Sequence, residues 1–273
     1  MKRAIPMYEA FFQLSRTPFG RDIPTGSLWR NVLRDELNSR LKYVAENRSF
    51  GVFTGDAGVG KSTAIRRFTS ELDNKRFQSI YITDSSLTPR NFYWAALHQL
   101  EQVPRFHRGD AQRQLHKVLS GIVNNERKTP VFIIDEAHLL SHEMLQEVRF
   151  LLNSEMDSNS SLALILVGQS ELKDKLRLQI NAAILQRVDI RYHLPPLDLS
   201  ETLAYVNAHL LAAGAPRTIF TEAALQQIYK YSNGIPRVIN KLASASLMAA
   251  ASRGVALVDD HLVHVTIERE FSI

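Results

Sequence analysis

The stretch "GDAGVGKST", Gly55 to Thr63, constrains this chain more than any other. It fits G-x-x-x-x-G-K-[ST] through Gly55, Gly60, Lys61 and Ser62, a spacing that works only between a strand and a helix. The reason is geometric. Glycines let successive backbone N–H groups curl around a phosphate, and the following helix aims its positive dipole end at the same point. The flanking residues agree. "SFGVFTG" (Ser49–Gly55) reads as a short buried strand and Lys61 to Glu71 as a helix. Asp56, Ala57, Gly58, Val59 and Thr63 join the four motif positions as candidates for a phosphate cradle. Lys61 is expected to neutralise charge on the β- and γ-phosphates, and Ser62 to ligate Mg2+.

Further strand-like runs recur at "QSIYITD" (Gln78–Asp84), "TPVFIIDE" (Thr129–Glu136), "LALILVG" (Leu162–Gly168) and "IRYHLPP" (Ile190–Pro196), with helical spacing between them. Strands alternating with helices predict an α/β fold, a parallel sheet with helices on both faces. From Leu199 the strands stop and four helices follow, several of them preceded by capping residues or proline and ended by glycine. The expected organisation is a lead-in segment and helix (1–48) belonging to the core, an α/β domain (49–197) and a small all-α domain (198–273). A length of 273 residues suffices for one large and one small core.

Composition removes several chemistries. There is no cysteine, which excludes disulfides, thiolate zinc sites and cysteine nucleophiles and fits a cytoplasmic location. The longest apolar runs are strand-sized, and "MKRAIPMYEAFFQLSR" lacks a sustained apolar stretch, so neither a leader nor a membrane anchor is expected. A net charge of +5 and a pI near 9.4 suit a nucleic-acid partner without requiring one.

In "VFIIDEAHLL" four apolar residues place Asp135 at the C-terminal edge of the sheet, where open α/β sheets bind ligands. Asp135 is expected to hold Mg2+ and Glu136 to polarise an attacking water. Gln169 ends the Leu162 strand, where it can orient that water or sense the γ-phosphate. Arg187 lies just before the last strand, the place of an arginine that reaches a neighbouring subunit's nucleotide. Arg237, in "SNGIPRVINKLA", opens a helix after Gly234 and Pro236. "DEAH" also spells a helicase box, but the second motor domain of such helicases does not fit in this length, and no guanine-reading motif is found.

This series of motifs, from about Phe50 to Ala243, resembles the AAA+ superfamily. The resemblance implies an ATPase core, a C-terminal helical lid, ATP bound between them at a subunit interface, and hydrolysis that depends on assembly through Arg187. "YEAFFQLSRTPFGRDIPT", "DEAHLL", "LILVGQSEL" and "GIPRVINKLA" together resemble the ExeA-like ATPases. One branch of that group holds secretion-pathway A proteins, which are longer and carry a transmembrane helix. The other holds stand-alone transposon ATPases, related in role to the MuB, TniB and TnsC proteins. Lacking a membrane helix, this chain is placed with the second branch. The partners so implied are double-stranded target DNA, a transposase, further copies of the chain in a ring or helical oligomer, and in some systems a separate target-selector protein. The alternative is a secretion or envelope assembly ATPase working with a membrane partner.

The residues expected to face DNA follow the second strand: Thr88 and Arg90 in "DSSLTPRNF", then Arg105, Arg108, Arg113 and Lys117 in "PRFHRGDAQRQLHK". Arg113 and Lys117 stand four apart on one helical face. The competing reading is a solvated helix end. With no helix-turn-helix, zinc or RNA-binding signature, any DNA contact should go to phosphates. Arg66 and Arg67 read as scaffold or interface. Phe11, Phe12 and Phe19 are expected to cover the sheet edge, and Pro18 and Arg21 are left open.

Overall fold

The computed structural model describes residues 7–20, 23–83, 87–151 and 160–271. Arg21 and Asp84 lie outside them, as does the end of the stretch "HEMLQEVRFLLNSE" (142–155), which reads as a helix in the sequence. The chain divides into two compact units: residues to Asn31 with Gly58–Gly60 and Pro195 onward, and Val32–Ala57 with Lys61–Leu194.

In the first unit lie α1 (Met7–Phe11), α9 (Leu199–Ala212), α10 (Glu222–Ser232), α11 (Pro236–Ser252) and α12 (Asp260–Glu270). The second unit runs α2 (Val32–Glu46), β1 (Phe50–Thr54), α3 (Lys61–Glu71), β2 (Phe77–Ile82), α4 (Pro89–Gln99), α5 (Arg108–Asn124), β3 (Thr129–Ile134), α6 (His142–Leu151), β4 (Ala163–Gly168), α7 (Glu171–Arg177), α8 (Ala182–Leu185) and β5 (Ile190–His193).

The sheet has strand order β2-β3-β4-β1-β5 and every pairing is parallel. β1, β3 and β4 are buried along their whole length, which is why they read as unbroken apolar runs. The edge strands β2 and β5 alternate between covered and more exposed positions. Phe50, Phe92, Phe132 and Leu164 anchor the core. The C-terminal ends of β1, β3 and β4 open onto the loop before Lys61, the Asp135–Glu136 pair and Gln169. The α/β architecture is therefore the one expected from the alternation.

The helical unit is organised by caps. Asp198 and Glu201 form a reciprocal capping box on α9, while Thr221 and Asp259 cap α10 and α12. After α10 the chain turns at Gly234, φ +72°, where a Cβ would fall 1.8 Å from the Leu197 carbonyl oxygen. Only glycine fits there.

The lead-in departs from expectation. Residues up to Asn31 belong with the helices, not with the sheet. Ser15 Oγ and N–H both donate to the Ala213 carbonyl, the His209 ring bonds the Pro18 carbonyl at 2.9 Å, and Trp29 meets Tyr205 edge-on. Phe12 and Phe19 are buried in the helical core and Phe11 packs against it, so these rings cover helices, where a sheet edge was expected. Apolar periodicity could not assign that packing, because it marks a covered face without naming what covers it. The apolar spacing of "LWRNVLRDELNSRLKYVAEN" (Leu28–Asn47) reads as one helix, yet the helix begins only at Val32, and the unit boundary falls before Pro195 instead of after residue 197. Among the described residues no helix is long and apolar enough to cross a membrane.

Candidate nucleotide site

β1 ends at Thr54 and the chain turns through Gly55–Gly60 into α3. Gly58 and Gly60 have φ of +86° and +105°, backbone that side chains rarely adopt. At Gly58 crowding adds a second reason. A Cβ there would lie 2.8 Å from Arg237 Cβ and 3.1 Å from Ile235 Cγ2, and the Arg237 N–H donates to the Gly58 carbonyl at 3.2 Å. Pro236 sits in the first turn of α11, so Arg237 stands at a helix start as expected, with its side chain exposed.

Lys61 is 9% exposed, and its ammonium donates to the carbonyls of Gly55 and Asp56 at 2.7 and 2.9 Å. Ser62 Oγ donates to Asp135 Oδ2 at 3.0 Å, the Tyr81 hydroxyl donates to the same oxygen at 2.9 Å, and the Glu136 N–H donates to Oδ1 at 2.8 Å. Asp135 is 4% exposed, so these donors replace the water a buried carboxylate has lost. Burial, then the adjoining Asp135 carboxylate, pushes the Tyr81 phenol up, so its hydroxyl stays a donor.

Glu136 occupies the left-handed region (φ +52°, ψ +32°), uncommon for a side chain of its size. Its carboxylate is 42% exposed and lies 3.4 Å from His138 Nδ1. His138 Nε2 lies 3.1 Å from the Gln169 side-chain nitrogen. Ser170 Oγ donates to Asp56 Oδ1 at 2.8 Å, tying the start of α7 to the loop.

The fold thus brings Asp56, Lys61, Ser62, Asp135, Glu136 and Gln169 together. A hydroxyl and a carboxylate side by side are hard oxygen donors suited to Mg2+. A buried lysine, glycine-rich turns and the start of the 11-residue α3 suit phosphates, so the donor set fits a magnesium nucleotide. Arg187 lies between α8 and β5, half-buried, its N–H on the Ile184 carbonyl at 3.0 Å. Tyr81 and His138 were missed as site residues. His138 stood inside the "DEAH" string without a role, and Tyr81 looked like one more strand aromatic.

The residues expected to meet DNA separate. Thr88 is the N-cap of α4, accepting from the Asn91 N–H. Arg90 lies between two rings, its guanidinium carbon 4.6 Å from the Trp94 centroid and 4.5 Å from that of Phe106. The Trp94 indole N–H donates to the Arg105 carbonyl, so Arg90 and Arg105, fifteen residues apart in the chain, share one surface. Arg108 instead pairs with Glu143 and with the buried Glu147, which also accepts from the Tyr93 hydroxyl. That arginine joins α5 to α6. Arg113 pairs with Asp110 on the exposed side of α5, and Lys117 is exposed.

Residues 44–176 match the model of the AAA domain family. General secretion pathway protein A of Aeromonas hydrophila is 34% identical over 251 residues, 91% of this chain and 46% of that protein. The chain therefore spans less than half the length of that curated relative. Among solved structures, Drosophila ORC bound to DNA matches with a TM-score of 0.76 and 16% identity, over 100% of this chain and 68% of that one. The ORC2 protein of Aeropyrum pernix in its ADPNP–ADP complexes matches with 0.66 and 15%, over 95% and 73%. The fold they share is the parallel sheet and helices described above.

Proposed function

We propose that this ExeA-like AAA+ ATPase binds and hydrolyses ATP with Mg2+, oligomerises on double-stranded DNA without regard to sequence, and there recruits or stimulates a transposase. The bound nucleotide supplies the phosphoanhydride that is cleaved. The backbone from Gly55 to Thr63 cradles its phosphates and Lys61 neutralises them, while Ser62 and Asp135 hold the metal. Glu136 polarises the water and Gln169 orients it. Arg187 acts on the site of a neighbouring copy, and Arg237 touches the γ-phosphate.

The observation that carries the DNA reading is the Arg90 stack. Its guanidinium carbon lies over both rings, 4.6 and 4.5 Å from their centroids, and a guanidinium anchored in this way suits forked pairing with a phosphate. Exposed Arg105 lies beside it. The solved Drosophila ORC with the same fold is bound to DNA.

The test is electron microscopy and binding on random duplex DNA with no nucleotide, ADP or a non-hydrolysable ATP analogue. Rings or filaments on DNA in the ATP state alone are the expected result. Oligomers that form with ATP and ignore DNA favour the second reading, an assembly ATPase acting with a membrane partner in secretion. The 34% identity to a secretion-pathway protein speaks for that one.

A further inference from the structure

We propose that Tyr81 is a positioning residue of the metal site: its hydroxyl fixes the Asp135 carboxylate, and the Gln99 side chain fixes Tyr81. This rests on the metal roles given to Ser62 and Asp135 above and adds two residues behind them. The Asp135 carboxylate is met on both oxygens. Oδ1 accepts from the Glu136 N–H at 2.8 Å, and Oδ2 accepts from Ser62 Oγ at 3.0 Å and from the Tyr81 hydroxyl at 2.9 Å. Two donors occupy the lone pairs of Oδ2. Ser62 keeps its own oxygen lone pairs for a cation while its proton stays on Oδ2. With Glu136 next in the chain and Ser62 committed to the cation, Tyr81 on β2 is the donor that holds the direction of the carboxylate.

Tyr81 is itself held. β2 stands at one edge of the sheet, where outward N–H and C=O groups need partners other than a strand. At Tyr81 one side chain meets both. Gln99 Oε1 accepts from the Tyr81 N–H at 2.8 Å, and Gln99 Nε2 donates to the Tyr81 carbonyl at 2.5 Å. A primary amide carries the same donor and acceptor as a peptide, and here it stands where a neighbouring strand would. Gln99 closes α4, whose Ala96 and Leu97 are fully buried, so the amide is presented from a fixed base. On the inner side of β2, Tyr81 stands opposite Ile133, and the Asp135 N–H donates to the Ile82 carbonyl at 2.9 Å. β2 thus holds the backbone of Asp135 through Ile82 and its carboxylate through Tyr81. Asp135 is 4% exposed, so water has little access to replace a donor lost from it.

Binding of a fluorescent, non-hydrolysable ATP analogue to the full chain tests this. It is titrated with Mg2+ and separately in EDTA, with a melting midpoint for every variant. Tyr81→Phe keeps the ring and loses the hydroxyl. It should raise the Mg2+ concentration at half-saturation about tenfold, the lower end of what partners of metal ligands contribute, with affinity in EDTA changed less than about twofold. ATP turnover should fall at limiting Mg2+ and recover as Mg2+ is raised. Gln99→Met keeps the length, loses the amide, and should shift the Mg2+ midpoint the same way by a smaller factor. Adding it to Tyr81→Phe should cost little more, because Gln99 acts through that hydroxyl.

Asp135→Asn is measured first. A wild-type Mg2+ midpoint there removes the metal role of Asp135, and the role of Tyr81 falls with it. If Asp135→Asn shifts the midpoint and a folded Tyr81→Phe does not, only the role of Tyr81 is overturned. An equal loss of affinity with and without Mg2+ also overturns it, because that marks a general disturbance of the nucleotide site. Full additivity of the two changes overturns the part given to Gln99. Should Tyr81→Phe melt below the assay temperature, Gln99→Met at the exposed end of α4 decides, and an unmoved midpoint overturns both roles.

Discussion

Glu136 adopts a left-handed backbone immediately after a buried strand, and such strain in a non-glycine residue costs on the order of 1–3 kcal/mol unless its surroundings hold it. The hydrogen bond from its own N–H to Asp135 Oδ1 is one such hold, and the tight turn through Ala137–Leu139 is another. The bend aims two adjacent carboxylates in different directions, one buried beside Ser62, the other half-exposed beside His138. Separate tasks for the two follow from that geometry. Glu136→Gln should retain ATP binding and accumulate an assembled state, seen by light scattering with ATP; normal disassembly would remove Glu136 from its role. Lys61 is different, because its ammonium is the one buried positive charge within the loop. Lys61→Ala should abolish nucleotide binding or turnover in a fluorescent-ATP titration, and wild-type turnover would move the site elsewhere.

Between elements, charge does much of the fastening outside the apolar core. Glu71 on α3 accepts from Lys42 and Asn38 on α2 and from Arg67 one turn earlier, while Arg67 also reaches Asp35. Burial works against the charged carboxyl, but the hydrogen bonds from Lys42, Arg67 and Asn38 outweigh it and hold the Glu71 pKa at about 2. A folded pKa below the ordinary value means stabilisation that is complete above about 4.5 and is lost as pH falls toward about 2. Glu71→Gln should therefore lower the urea midpoint at pH 7 and narrow the difference from wild type at pH 3. An equal deficit at both pH values would show that the seam contributes through packing alone. Arg66 and Arg67 read alike in the sequence, and only the neighbouring helix shows Arg67 to be scaffold. Arg108 belongs to the same class. Tied to buried Glu147, it serves α5 and α6, and its removal would leave a buried carboxylate short of its partner.

For the whole molecule, a charge of +5 gives only a weak general pull on DNA, so the distribution of basic residues matters more than their number. Arg105 and Lys117 are exposed and can be changed without disturbing the Glu147 pairing. Their double alanine variant should lower DNA affinity equally across sequences and flatten the salt dependence by roughly 0.9 in log–log slope for each phosphate left unneutralised. An unchanged slope would place the DNA surface on another face. Including Arg108 in that variant would mix a folding defect into the binding result.

The sequence by itself determined the local grammar: five strands, the loop before Lys61, the Asp135–Glu136 pair and four helices from Leu199, each opened by a capping residue or a proline. Each is written in neighbouring residues, as glycines at fixed spacing, apolar runs before a charge, or a cap before a helical period. Those features also name Lys61, Ser62, Asp135 and Gln169, because β1, β3 and β4 end on the same edge of a parallel sheet. Tertiary structure alone decided what lies far apart in the chain. It set the lead-in with its phenylalanines against α9, drew Arg90 under Phe106, and took Arg108 for Glu147. It also placed His138 between Glu136 and Gln169. Periodicity tells which face of a segment is covered; the covering partner is fixed by packing across tens to hundreds of residues, and no short pattern records it.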